Sequence, residues 1–417
     1  MMPLIARRGR IAPLLFFVVA LAVMVSAPVG VAWASTSTTL QARTAAASFT
    51  VSAEDLGGPT ADPPAIKSPS AILINLGSGK VLYERKAHVR RPMASTTKIM
   101  TAVLVLEKMD LATPVTVSQK AAQTIEPKTW LKEGDVLTVE QLLYALMLRS
   151  ANSAAVALAE AYSGSVEAFA DEMNKKAAQL EMSDTHFVTP NGLDATGHYS
   201  TAADMALLGR YAMANEQFRK IVGTKTYTVS LPGRVEPTVF KNTNKLLSQV
   251  SWVTGIKSGL TPRAEQCLVG SGTKEGVSVI SVVLGQPVPD VCWSESRALM
   301  QYGFTRYRHL TLVNEGVAVA ESAAPYQLDG RIQLVTKSAV ETELYREDAV
   351  TASVVLDRPL VLPVAAGEAF GRIVLTVRDE TVGSVDLVVA KSFDKTTLGS
   401  KLTYYWDRFA RWLGRIV

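Results

Sequence analysis

Three short segments combine hydroxyl, amine and amide side chains in an order that suits acyl transfer. Ser95 and Lys98 open one apolar stretch, Ser150 and Asn152 follow another, and Lys257-Ser258-Gly259 ends a strand-like segment. Taken singly, these segments would indicate a helix cap, a solvated lysine or a turn. All three in this order and context form a specific combination.

Ser95 and Lys98 have the spacing of a nucleophile and its base. A serine hydroxyl is a poor nucleophile until a base removes its proton. On a helix, residues three apart share one face. A lysine in apolar surroundings and near another cation has a lowered pKa, so its neutral amine can accept that proton. Ser95 at a helix start would also lie where free N–H groups stabilise an oxyanion.

The other two segments supply proton transfer and substrate binding. The Ser150 hydroxyl can pass a proton to a leaving amine, and Asn152 can donate to a substrate carbonyl or hold Lys98. Lys257 and Ser258 offer a cation and a donor to a carboxylate, and Gly259 would let a substrate backbone approach the strand. The residues therefore predict serine acyl transfer, with lysine as base, on a substrate that ends in a free carboxylate.

The surrounding pattern predicts an α+β fold with helices packed on an antiparallel sheet. The middle of the chain is helical, with an N-cap for its last helix at Ser200 or Thr201. Apolar residues then alternate in a separate small β-domain. The predicted elements are a hairpin at 71–83, helices at 98–108, 139–161, 166–180, 202–214 and 294–302, and strands at 252–258, 267–271, 277–284, 350–356, 371–377 and 385–389.

The N-terminus has the pattern of an export signal. Arg7, Arg8 and Arg10 precede an uncharged apolar run at 11–25, and Ala32-Trp33-Ala34 offers small residues at a cleavage site. We expect a signal peptide at 1–34, cleaved after Ala34, and a linker rich in Ser, Thr, Ala and Pro at 35–67. The alternative is an uncleaved anchor. Either way, the chain is predicted to work outside the cytoplasm.

The C-terminal segment 398–417 is predicted to be a basic amphipathic helix. Two tryptophans lie among the apolar residues, and four basic residues stand against Asp407 alone. Such a helix suits the interface of a membrane. The alternative is a terminal helix that docks on its own domain.

Composition excludes several classes of function. The 417-residue chain has a formal charge of +5, and loss of the three signal arginines would leave +2, too little for a nucleic-acid binder. Four histidines and two cysteines lack ligand-like spacing, so neither a metal nor another cofactor is expected. Cys267 and Cys292 could form a disulfide in an oxidising compartment or remain buried thiols.

The motifs and their context resemble the low-molecular-mass penicillin-binding proteins, the serine-type D-alanyl-D-alanine carboxypeptidases of peptidase family S11. The likeness covers about 68–310 and extends more loosely to the β-domain and terminal helix. The matching text is Pro92–Thr101, Leu142–Leu146 with Ser150–Asn152, Pro190–Asp194 with Gly197–Thr201, and Gly255–Gly259.

This resemblance implies a β-lactamase/transpeptidase-like catalytic domain at 68–312, a β-domain at 318–392 and a peripheral membrane helix. It implies an acyl-ester on Ser95, Lys98 as proton acceptor, help from Ser150 and substrate contacts of Asn152. Lys257 and Ser258 would bind the terminal D-Ala carboxylate, and the backbone N–H groups of Ser95 and Leu260 would form the oxyanion hole. The substrates would be peptidoglycan stem pentapeptides, with β-lactams as acylating inhibitors.

Two departures from the family pattern stand beside the site. Ser258 replaces the usual Thr but keeps the hydroxyl, and Glu265-Gln266 replaces the usual Gly, which changes the strand entry beside the cleft. His198 matches a family histidine near the cleft, although a solvated loop histidine fits the sequence equally well.

The competing functions are a β-lactamase, whose Glu-x-x-Leu-Asn motif is missing from 153–256, and a non-catalytic envelope scaffold.

Overall fold

The computed structural model describes residues 50–51, 61–126, 131–231, 234–328, 330–346 and 348–413. The predicted signal peptide and most of the predicted linker lie outside the described residues. Among the described residues, no helix is both long and apolar enough to cross a membrane.

The described chain forms seventeen strands and ten α-helices. The strands are β1 (Thr50–Val51), β2 (Ser70–Asn75), β3 (Val81–Arg85), β4 (Pro114–Thr116), β5 (Val136–Thr138), β6 (Thr226–Val229), β7 (Thr238–Lys241), β8 (Val253–Thr261), β9 (Glu265–Lys274), β10 (Val277–Gln286), β11 (Tyr307–Val313), β12 (Ala318–Ala323), β13 (Arg331–Thr336), β14 (Val340–Tyr345), β15 (Val350–Leu356), β16 (Ala369–Val377) and β17 (Glu380–Val389). The helices are α1 (Lys98–Lys108), α2 (Gln119–Ala122), α3 (Val139–Tyr144), α4 (Asn152–Ser163), α5 (Val166–Gln179), α6 (Ala202–Met213), α7 (Glu216–Gly223), α8 (Lys245–Gln249), α9 (Pro289–Arg306) and α10 (Leu398–Leu413).

A five-stranded antiparallel sheet, in the order β3-β2-β10-β9-β8, organises the first of two parts of the described chain. Successive side chains of a strand point to opposite faces. Ile72 therefore belongs to the large core that includes α1, α4 and α6, whereas Leu73 packs with α9 on the other face. This arrangement confirms the predicted antiparallel sheet with helices on both faces.

Helix α1 is buried at the centre of the helical region. Eight of its eleven residues, from Lys98 to Val105, are buried, and it contacts α4, α5, α6 and α7. A helix surrounded by other helices is apolar on all sides, which explains the near-continuous run of apolar residues in this part of the sequence.

The single helix predicted at 139–161 is interrupted. After α3, residues Ala145–Arg149 form one π-helical turn. Ser150 then adopts a left-handed conformation, with φ of 63°, before α4 begins. The prediction was wrong here because apolar periodicity continues across the break, and no Gly or Pro marks it.

The second domain is built on the predicted β-strands but is larger than the sequence indicated. A six-stranded sheet runs in the order β1-β15-β16-β17-β13-β12, and β11 pairs with β14. Leu334, Leu375 and Leu387 lie at the centre of its own core. Thr50 and Val51, inside the predicted linker, pair with Thr351 and Val350, so this part of the linker is a strand.

The terminal helix α10 has no buried residue. Its neighbour in the β-domain is Tyr326, whose ring lies 5.7 Å from that of Tyr404 and 5.0 Å from the Lys401 amine. Trp406 and Trp412 remain 69% and 57% exposed. The apolar face of this helix is therefore uncovered over its described length, and the alternative of a fully docked helix is not what the structure has.

Candidate active site

Ser95 lies in a 3-10 turn, Ala94–Thr97, that leads directly into α1. The hydroxyl of Thr96 donates to the Met93 carbonyl at 2.6 Å, and that of Thr97 donates to the Ala94 carbonyl at 2.8 Å. Ala94 has a φ of 47°, a conformation that L residues rarely adopt. The turn is therefore held in an uncommon backbone shape that sets Ser95 at the first turn of a buried helix.

The Lys98 amine stands between three oxygen atoms. Its Nζ lies 2.8 Å from Ser95 Oγ, 2.7 Å from Asn152 Oδ1 and 2.5 Å from the Asn191 carbonyl oxygen. The two carbonyl-type oxygens can only accept hydrogen bonds. A neutral amine has two hydrogens and one lone pair, so it can donate to both and direct the lone pair at the Ser95 hydroxyl.

Burial favours that neutral form. Lys98 is fully buried, and this burial, with a smaller contribution from the Lys257 cation, holds its pKa well below the usual value. The Glu126 carboxylate acts in the opposite direction. The Ser95 hydroxyl is therefore paired with an amine, that of Lys98, whose pKa is lowered, as the sequence predicted.

Asn152 is fixed from two sides as the first residue of α4. Its side-chain Nδ2 donates to the Ile125 carbonyl at 2.7 Å, and its backbone N–H donates to the Glu126 carboxylate at 2.8 Å. Of the two possibilities raised by the sequence, the structure has Asn152 holding Lys98. Ile125 and Glu126 were missed, because a loop residue 26 positions away gives no periodic signal.

Ser150 stands two residues before Asn152, at the point where the chain turns into α4. It is partly buried, and its left-handed conformation separates it from both flanking helices. Among the hydrogen bonds of the described residues, none uses its hydroxyl. Ser150 is thus close in sequence to a residue that contacts Lys98, and its hydroxyl stays available to another group.

Strand β8 carries Lys257, Ser258 and Gly259, and Gly259 lies beside Ser95. A Cβ built on Gly259 would stand 2.6 Å from Ser95 N and 3.1 Å from Thr96 N. The expected reason for glycine was an approach by substrate, but the close approach in the structure is to the backbone of the Ser95 turn. Leu260, the other predicted oxyanion donor, follows directly and is 62% exposed.

The Lys257 side chain is buried with one hydrogen-bond acceptor among the described residues, the Ser258 carbonyl at 2.8 Å. Burial lowers the pKa of Lys257 to about 7. An ammonium group has three N–H donors, so two remain for another acceptor. In its protonated form Lys257 could therefore bind a carboxylate, which stays a prediction of the sequence.

Thr243 adds a hydroxyl that the sequence analysis missed. Its Oγ1 lies 3.1 Å from Ser258 Oγ, and the residue is exposed. The Thr243 backbone N–H donates to the Leu148 carbonyl at 2.9 Å, which ties this loop to the π-helical turn before Ser150. No spacing rule could have identified it, because Thr243 and Ser258 are 15 positions apart, with the short helix α8 and the first residues of β8 between them.

His198 is a buried structural residue and not a solvated loop histidine. Its Nδ1 accepts the Val188 N–H at 3.0 Å, so the hydrogen is on Nε2, which lies 2.9 Å from Thr97 Oγ1. Burial lowers the pKa of His198 to about 4. The neutral ring thus supports the turn that carries Ser95.

The structure also shows the state of the two cysteines, the conformation at Glu265-Gln266 and the distribution of metal-ligating side chains. Cys267 and Cys292 are both free and buried. Glu265 has a φ of 56°, a conformation that glycine adopts more readily than glutamate, and Gln266 Nε2 donates to the Gly259 carbonyl at 3.1 Å. Among the described residues, no group of three or more His, Cys, Asp or Glu side chains could hold a metal ion.

Residues 58–288 match the family model for D-alanyl-D-alanine carboxypeptidase, peptidase S11. This chain belongs to that family. The D-alanyl-D-alanine carboxypeptidase DacF of Bacillus subtilis is 31% identical over 361 residues, which cover 82% of this chain and 91% of the relative. The predicted family, a serine-type carboxypeptidase of the penicillin-binding class, is confirmed.

Solved structures of this class have the same fold. The Streptomyces K15 DD-transpeptidase matches with a TM-score of 0.57 at 36% identity, over 58% of this chain and 99% of its own. The D-alanyl-D-alanine carboxypeptidase DacD of Francisella tularensis matches with a TM-score of 0.57 over 82% of this chain and 97% of its own, at 24% identity. The predicted β-lactamase/transpeptidase-like fold with a further β-domain is confirmed.

Proposed function

We propose that this S11 carboxypeptidase removes the terminal D-Ala from peptidoglycan stem pentapeptides through an acyl-ester on Ser95. The single observation that carries the proposal is the position of the Lys98 amine, 2.8 Å from Ser95 Oγ and bonded to two acceptor-only oxygens. That arrangement supports Lys98 as the base that activates Ser95.

In the first half-reaction, the Ser95 hydroxyl gives its proton to Lys98 Nζ, and Oγ attacks the carbonyl carbon of the penultimate D-Ala. The negative charge on the carbonyl oxygen is stabilised by the N–H groups of Ser95 and Leu260. Ser150 passes its hydroxyl proton to the amide nitrogen and takes up the proton held by Lys98, the C–N bond breaks and free D-Ala leaves, so that Lys98 is neutral again. Water, deprotonated by Lys98, then attacks the ester and releases the tetrapeptide and the Ser95 hydroxyl.

The substrate is held by its carboxylate and by its backbone. Lys257 and Ser258 bind the terminal carboxylate, with Thr243 beside them. Strand β8 is an edge strand of the central sheet, and the outer edge of such a strand can pair with an extended peptide. A peptide added there would run past Gly259, next to Ser95.

We propose that the enzyme works on the outer face of the cell membrane. The export signal predicted at 1–34 would deliver it there. The exposed aromatic face of α10 supports peripheral attachment, because a basic amphipathic helix with tryptophans suits a membrane interface.

The decisive experiment incubates the mature protein with a peptide ending in D-Ala-D-Ala and measures free D-Ala. Ser95→Ala is expected to abolish release and also to abolish the covalent adduct that mass spectrometry finds after penicillin exposure. Equal release by Ser95→Ala would contradict the mechanism. An adduct that persists for minutes supports a carboxypeptidase, rapid turnover of penicillin would favour a β-lactamase, and no adduct on the parent would favour a scaffold.

A further inference from the structure

Helix α4, which begins at Asn152, is capped by a carboxylate from a distant loop. The N-cap residues of α2, α3, α5, α6, α7 and α8 accept a backbone N–H of their own first turn. The N-cap of α4 is Ala151, whose side chain cannot do so. Glu126 instead accepts the N–H groups of Asn152 and Ser153 at 2.8 and 3.4 Å and the Ser153 hydroxyl at 2.8 Å.

The same loop also determines which way the Asn152 amide faces. The Ile125 carbonyl accepts from Nδ2 at 2.7 Å, and a carbonyl can only accept. The amide oxygen of Asn152 is therefore the atom turned toward Lys98. With the backbone held by Glu126 and the amide held by Ile125, Asn152 has little freedom to move away from the amine.

We propose that Glu126 is a positioning residue that fixes Asn152, and through it the amine of Lys98, against Ser95. The inference rests on the proposed function, since it concerns how the base of that reaction is held. Glu126 touches neither Ser95 nor the position of the scissile bond in the proposed mechanism, so its effect passes through Asn152 and through its charge.

The charges around Lys98 give this role a pH signature. Lys257 on β8 is a second cation, His198 is a neutral ring, and Glu126 is the anion. Arg149, just before Ser150, in turn interacts with Glu126. Glu126 raises the pKa of Lys98 against the stronger effects of burial and Lys257. Removal of its charge therefore lowers the pKa of Lys98.

The test is the rate at which a fluorescent penicillin labels the mature protein between pH 5 and 9. Glu126→Gln keeps the size but loses the charge and part of the cap. We expect labelling at the optimum to slow roughly 10-fold, because a displaced base is inefficient. We also expect the acid limb of the profile to move about one pH unit lower, the direction that loss of a nearby anion gives.

A purely structural role would slow labelling equally at every pH and leave the acid limb in place. The matched control is Glu160→Gln, which removes a carboxylate that accepts the Ser118 hydroxyl at 2.6 Å, about two turns further along α4. Its pH profile is expected to match that of the parent.

Failure of the inference differs visibly from failure of the proposed function. A parent that is not labelled at all contradicts the function, whereas a labelled parent with a superimposable Glu126→Gln profile contradicts the role of Glu126. If Glu126→Gln does not fold, Glu126→Asp decides, because it keeps the charge and withdraws the oxygens by one bond. Slower labelling with an unchanged acid limb supports the proposal, and a parent-like rate contradicts it.

Discussion

Gly259 and Ser95 approach so closely that a Cβ on Gly259 would stand 2.6 Å from the Ser95 backbone nitrogen. Strand β8 and the turn that carries Ser95 are therefore packed backbone against backbone. We therefore expect a displacement of β8 to move the turn that carries Ser95.

Gly259→Ala is therefore expected to slow acylation by penicillin on the order of 100-fold, because a shift of about 1 Å in a reacting group has that effect. It should also cost roughly 1–3 kcal/mol of unfolding free energy through overpacking. Labelling rate and thermal denaturation measure the two effects. Gly77→Ala is the control, since its Cβ would come no closer than 3.4 Å to Asn75 Oδ1. Parent-like labelling by Gly259→Ala would show that the strand can move without affecting Ser95.

The lowered pKa of Lys257 predicts that activity declines as the pH rises above neutrality. Burial lowers its pKa to about 7, so the free enzyme holds a cation below that pH and loses it as the pH rises. The kcat/KM for a peptide with a free carboxylate should fall above about pH 7. Lys257→Arg keeps its charge at higher pH, so in that variant the decline should disappear. A parent profile that stays flat from pH 6 to 9 would contradict the assigned role.

The contact between the hydroxyls of Thr243 and Ser258 predicts that removing the Thr243 hydroxyl lowers kcat/KM by a small factor. Thr243→Val removes the partner 3.1 Å from Ser258 Oγ while keeping the shape of the side chain. A neutral hydrogen bond contributes about 1 kcal/mol, so kcat/KM should fall roughly 5-fold. Thr243→Ser should restore it. Equal activity of the Val and Ser variants would show that Thr243 does not orient Ser258.

The exposed apolar face and the basic residues of α10 predict that the protein binds anionic membranes. Its exposed Phe409 and Trp412 are 49% and 57% accessible. Their replacement by Glu should reduce co-sedimentation of the mature protein with phosphatidylglycerol vesicles at least 10-fold, on the order expected from lost apolar burial and added negative charge. Activity on a soluble peptide should not change. Undiminished sedimentation of the double variant, or of a protein lacking 398–417, would place the attachment elsewhere.

The elements that the sequence predicted best are helices and strands whose apolar residues are buried. Helix α1 and strands β8 to β10 are apolar because they lie inside the catalytic domain, and their positions were predicted to within a few residues. The break at Ser150 was missed, since a left-handed serine between two apolar runs has no signal of its own. Strands β11 to β14 were also missed, although β13 alternates polar and apolar residues as a half-exposed strand does.

The site was predictable where its residues fall in short motifs and unpredictable where a distant loop supplies the contact. Ser95, Lys98 and Asn152 meet as their types and order indicated. The carbonyl of Asn191, which accepts from Lys98, could belong to any residue type. The cap from Glu126 depends on how two loops pack, which no local pattern encodes.

The strand Thr50–Val51 has a practical consequence for anyone who shortens this protein. It pairs with the outer side of β15, so a version beginning at residue 61 would leave that strand with unsatisfied amide and carbonyl groups. Bare sheet edges promote chain-to-chain association. Truncation chosen only to remove the predicted signal peptide and linker would thus expose a sheet edge to which another chain can pair.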